Sequence, residues 1–218
     1  MSQNFGAVLG KQSGKIGPIV GRIVNGKQFY AARPSSRKNK ELSPKEKDAR
    51  LKFSVLGRLG RAFRNASKLG LSGYIKAAPY RNPVSAFSKK NTDSVHCADG
   101  IAEIEFGSII CAEGILPQVG FSAANFDEPL QVSVAFSPNS DVPDADADDD
   151  IYLFVLEPES NQGILSAPVK RSTASIDMHL PSTWSGLTVH VYGFAVAGGR
   201  NNQGLTSNSA YIGTGNVG

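Results

Sequence analysis

The residues best placed to do chemistry are cations. Lys47, Arg50, Arg58, Arg61, Arg64 and Lys68 recur at helical spacing, with Arg33, Arg37 and Lys38 shortly before them. Side chains of this type neutralise phosphate oxygens and release the counterions condensed on a nucleic acid, which requires no base-specific contact. They suit an acidic neighbouring subunit equally well. A solvated helix face is the ordinary use of such residues, but the surrounding charge exceeds what solubility asks for. Residues 1–92 hold 20 of the 23 Lys and Arg and 3 of the 19 Asp and Glu, a net of +17, while residues 93–218 carry −13. Aromatic residues, Phe29, Tyr30, Phe53, Phe63, Tyr74 and Tyr80, are interleaved with the cations.

Other constellations are incomplete. GKQSGK at residues 10–15 is one residue short of a phosphate-binding loop, and Ile16 stands where a magnesium-binding hydroxyl is needed. A turn before a strand is the simpler use. In DADADDD, residues 144–150, Asp144, Asp146 and Asp148 have the spacing of a calcium loop's first ligands. Asp149 replaces the glycine at the sixth position and Val155 the closing glutamate, so an acidic turn or a docking patch competes with calcium binding. His96, His179 and His190 lack metal-like spacing, and no serine sits in a nucleophile elbow. No catalytic residue or cofactor is expected, so a non-enzymatic role is.

The elements that must position the cations are legible in outline. Ile19 to Val24 and Lys27 to Ala31 flank Asn25-Gly26, a β-hairpin signal. After a polar linker, Ser43, Pro44 and Glu46 supply an N-cap, a first-turn proline and a capping box. Ala49, Phe53, Leu56, Leu59, Phe63, Ala66 and Leu69 then recur at three- and four-residue steps, which predicts one amphipathic helix with the cations mostly off the apolar stripe. Gly57 and Gly60 within it allow a bend or the close approach of another backbone. Residues 77–94, with Pro79 and Pro83, read as a second linker.

Beyond residue 95 short strands alternate with turns: Ile101–Phe106, Leu130–Phe136, Ile151–Leu156, Ser175–Leu180, Leu187–Ala197 and Ser209–Gly213. The expectation is a mainly β (α+β) chain. Residues 1–94 form a basic region of hairpin, linker and helix, and residues 95–218 an acidic antiparallel β-sandwich like those of immunoglobulin and fibronectin type III domains. Trp184 is expected as a core plug. Cys97 and Cys111 could pair if they lie on neighbouring strands; without a secretory leader at the start, two reduced thiols are favoured. No run approaches the apolar length that spans a bilayer, so no membrane insertion is expected.

The run GKQSGKIGPIVGRIVNGKQFYAARP, followed by SPKEKDARLKF, resembles the N-terminal signature of a large family of uncharacterised Bacteroidota proteins, and LPSTWSGLTVHVYGFAVAGG with SNSAYIGTGNV resembles its last strands. The resemblance covers most of the chain. It departs at Lys47 or Asp48, where the family usually has Gln, and at DADADDD. It implies a basic N-terminal region joined to a fibronectin-like sandwich and an origin in Bacteroidota or their phages, and it brings no activity.

These features together lead to the expectation of a structural subunit of a phage virion or related assembly, with its basic half anchored to nucleic acid or a neighbour. A homo-oligomer or larger assembly is implied, located in the virion or cytoplasm. A cytosolic nucleic-acid-binding protein of low sequence specificity and a surface adhesion module are the alternatives.

Overall fold

The computed structural model describes residues 13–24, 27–33, 41–77, 82–138, 142–198 and 205–218. The chain divides between Ser43 and Pro44 into two units. In the first, β1 (Gly14–Ile16), β2 (Ile19–Val24) and β3 (Lys27–Ala32) form an antiparallel sheet in that order. Pairing of Val24 with Lys27 leaves two residues for the connection, as an Asn-Gly turn requires, although Asn25 and Gly26 themselves lie outside the described residues. Among residues of this sheet whose burial is described, Gly21 alone is buried.

The second unit starts with four helices: α1 (Pro44–Ala62), α2 (Arg64–Gly70), α3 (Ser72–Lys76) and α4 (Pro83–Lys90). The remaining chain is strands: β4 (Val95–Ala98), β5 (Ile101–Ile104), β6 (Gly120–Phe121), β7 (Gln131–Ser137), β8 (Asp150–Glu157), β9 (Gln162–Leu165), β10 (Val169–Lys170), β11 (Ser175–His179), β12 (Thr188–Val196) and β13 (Ala210–Asn216). One sheet runs β10-β8-β12-β13, with β9 also on β8; a second runs β11-β7-β6; all these ladders are antiparallel. Their facing sides enclose one core. Val132, Val134, Ile176 and Met178 from the small sheet meet Ile151, Leu153, Val155, Val189 and Val191 from the large one, with Trp184 plugging it. The protein is thus mainly β, with an antiparallel sandwich, as its alternating strands predict.

The helices are not a separate region. β8 reads IYLFVL because the large sheet is covered on both faces, and alternation disappears from a strand with no solvated side. Phe154 and Leu156 of β8, with Tyr192 and Phe194 of β12, point away from the sandwich into a second core containing Val55, Leu56, Leu59, Phe63 and Phe87. Phe63 is the hub of that core: its ring lies 4.8 Å from Phe87, 4.3 Å from Phe154 and 5.3 Å from Tyr192. The compact unit therefore begins at Pro44 rather than at residue 95, because helices and sheet share apolar surface neither could bury alone.

Three sequence expectations change. The single helix is interrupted at Phe63, although hydrogen bonds from Phe63 N to Leu59 O and from Ser67 N to Phe63 O carry the helical pattern through. Its buried face runs through Val55, Leu56, Leu59, Gly60 and Phe63, leaving Ala49 and Phe53 exposed. Residues 83–90 are helix rather than linker: Pro83 occupies the first turn, and Asn82 and Ser85 cap each other reciprocally. β4 and β5 form a hairpin of their own, and Val95, Cys97, Ala102 and Ile104 pack in the helix-side core rather than in the sandwich. Of the two mid-helix glycines, Gly60 is the close approach, since a Cβ there would stand 3.0 Å from Val84 Cγ1 of α4. Asn91, buried at the end of α4, ties the helix to the following loop: its Nδ2 donates to Ile110 O and its Oδ1 accepts from Ile110 N.

Candidate functional site

The amphipathic pattern of α1 and α2 buries one face and leaves the cations on the other. Lys47, Arg50, Arg58, Arg61, Arg64 and Lys68 are all exposed, and none makes an ion pair among the described residues. Arg33, just past β3, is exposed on the other unit; Arg37 and Lys38 lie outside the described residues.

The structure brings three of the six together around two adjoining clefts. One, of about 380 Å³, lies between the end of α1 and the β8–β9 turn, lined by Arg61, Arg64, Asn65, Asn161 and Gln162. The other, of about 470 Å³, lies among α2, α3 and α4, lined by Arg64, Asn65, Lys68, Ile75 and Lys76. Arg64 and Asn65 belong to both, so the two read as one cationic groove. Lys47, Arg50 and Arg58 line neither cleft. Asn65, Lys76, Asn161 and Gln162 escaped the sequence reading, and the β8–β9 turn lies about a hundred residues from α1 in the chain. The one local clue was Gly163: a Cβ there would fall 2.3 Å from Phe154 and 2.8 Å from Ala62 O, so only glycine lets β9 press against the end of α1.

The turn that supplies Asn161 and Gln162 is built on Glu157, which is fully buried. Its carboxylate accepts from Glu159 N at 2.6 Å, from Ser160 N at 2.7 Å and from the Ser160 hydroxyl. Burial pushes this carboxyl up, but the Ser160 and Glu159 hydrogen bonds outweigh it and hold the group below its ordinary 4.5. Its stabilising effect is therefore present above pH 4.5 and is lost as the pH falls through the lowered value. Half-buried His190, stacked on Phe106 at 3.9 Å with Nδ1 2.9 Å from the Tyr211 hydroxyl, acts in the same direction. Burial lowers it below 6.5, so the unfolded chain takes up its proton first and stability falls as the pH drops below 6.5. Glu157→Gln should cost about 1–3 kcal/mol at neutral pH, because an amide NH2 replaces one carboxylate oxygen and leaves its part-buried donor, Glu159 N or Ser160 N, without an acceptor, and should flatten the loss of melting temperature below pH 4.5. Thermal melting across pH measures both.

The acidic run is organised differently from a calcium loop. Asp149, buried, takes Arg171 Nε at 3.2 Å and Asp146 N at 3.1 Å on one oxygen, and Gly198 N at 3.4 Å on the other. Lys170 reaches Asp150 and the Asp148 carbonyl, both at 2.8 Å. No group of three His, Cys, Asp or Glu among the described residues is arranged to hold a metal ion. Cys97 and Cys111 are free thiols; Cys111 is buried, and desolvation pushes it up to about 12. No helix among the described residues is long and apolar enough to cross a membrane.

The molecule thus belongs to the class of mainly β proteins that carry an exposed cationic helix face. The chain belongs to a family of unknown function, DUF6266, which matches residues 10–213. No curated protein matches it in sequence.

Proposed function

We propose that this protein is a non-enzymatic binder of nucleic-acid phosphate backbones with low sequence specificity. The observation that carries this reading is the set of exposed cations on α1 and α2, three of which line a groove with Asn and Gln amides beside them. Charges bound for internal use are handled otherwise in this chain: Arg171 is buried against Asp149, and Lys90 pairs with Glu113. Cations with no carboxylate partner among the described residues are available to an external polyanion, and Arg and Lys on phosphate oxygens carry no sequence information. Titration of single-stranded DNA, RNA and duplex at several salt concentrations tests the reading. A steep fall of log affinity with log salt supports it; absent or salt-independent binding defeats it.

A second reading, a subunit of a phage virion or related assembly, is favoured by the β1–β3 sheet. Ile23 is 42 % and Tyr30 36 % exposed there, and apolar side chains exposed together on a sheet suit contact with a second protein surface. A neighbour's acidic half, at −13, is the complementary surface for this basic arm. Light scattering at low salt separates the readings, since a strict 23.1 kDa monomer at every concentration excludes the assembly. A gene lying beside capsid and tail genes would support the phage setting.

A further inference from the structure

The geometry points to Phe53 as a stacking platform for an unpaired base, making single-stranded nucleic acid the preferred ligand of the cationic face. This rests on the proposed backbone binding and adds the substrate class. Phe53 is 68 % exposed, although it sits in a helix whose neighbouring turns bury Val55, Leu56 and Leu59 completely or nearly so. At 100° per residue, Arg50, Phe53, Gly57, Arg61 and Arg64 fall within one narrow stripe of α1 and α2. Gly57, one turn beyond Phe53, has nothing within 4 Å of its Cβ position, so this turn of the stripe presents bare backbone rather than a side chain of its own. Arg61 follows about 12 Å along the axis from Phe53, within reach of a strand only a few nucleotides long. An exposed ring amid cations, on the same helix stripe as Arg61 and Arg64, matches how proteins hold single strands: cations track the backbone while aromatic faces take the bases. A duplex hides its base faces within the stack and gains nothing from Phe53.

The test uses the full chain, a short labelled oligothymidylate and a duplex of the same length, titrated between about 50 and 200 mM salt. Phe53→Ala removes no core contact and should weaken single-strand binding about tenfold. Duplex affinity and the salt slope should stay unchanged, and Phe53→Trp should restore the single-strand affinity. Wild-type single-strand affinity in Phe53→Ala, with binding still lost on replacing Arg61 and Arg64, overturns the stacking role and leaves backbone binding standing. Equal losses on both ligands overturn it too. No binding by the wild type defeats both readings. A changed oligomeric state in Phe53→Ala, with strand affinity intact, assigns the ring to a second copy of the chain and likewise overturns the inference.

Discussion

Arg171→Met will destabilise the protein by about 3–5 kcal/mol, lowering its melting temperature by roughly 6–20 °C. Arg171 and Asp149 are 0 % and 2 % exposed at the side chain, so neither charge is solvated when its partner is gone. The guanidinium also donates to Pro117 O and Pro138 O, each at 3.4 Å, tying the loops before β6 and after β7 to the acidic run. Without it, Asp149 retains only the Asp146 and Gly198 amides. Removing both charges together, in Arg171→Met with Asp149→Leu, should recover much of the loss, because a buried pair replaced by apolar groups of similar volume is often close to neutral. Thermal and urea melts of the two single variants and the double variant measure this coupling. A cost below about 1 kcal/mol for either single variant would mean that water reaches the pair and that the acidic run is not anchored there.

That anchoring also shows what the charge pattern conceals. Lys170 and Arg171 are two of only three cations in the acidic half, and both are spent on residues 148–150. DADADDD has the spacing of ligands, yet Asp149 turns inward because a cation twenty-two residues away is buried with it, and no local pattern encodes that pairing. Strand positions were legible for a different reason: side-chain alternation in LQVSVAF is imposed by a single buried face, and β7 follows it. The continuous apolar run of β8 identified a strand but not the helices on its second face. For α1, an apolar ladder can be drawn through Phe53, or through Leu51 and Val55 nearly half a turn away from it. Only the position of β4, β5 and α4 against the helix selects the latter. α4 was hidden by the pair Pro79 and Pro83, which reads as a linker, although Asn82, Pro83 and Ser85 are the residues of a helix start. The cationic face itself needed no tertiary information; the groove did, since its far wall is the β8–β9 turn.

Replacing Arg61, Arg64 and Lys68 together with Gln should lower affinity for single-stranded nucleic acid on the order of a hundredfold near 0.1 M salt, and reduce the log–log salt slope by about 2. The estimate follows from three lost phosphate contacts, each worth about 0.7 in slope on a single strand and 0.9 on a duplex. Folding should hardly change, because all three side chains are exposed, none is ion-paired among the described residues, and Gln is a good helix former. An equal change of charge on the other unit, Lys15, Lys27 and Arg33 to Gln, separates the groove from the overall field of the molecule, since these three are also exposed. Long-range attraction depends on total charge and would weaken alike in both triple variants, whereas contacts made in the groove vanish only in the first. Equal losses in the two variants would move binding from the α1–α2 groove to the diffuse positive charge of residues 1–92, and a full-strength first variant would remove the groove from the mechanism altogether.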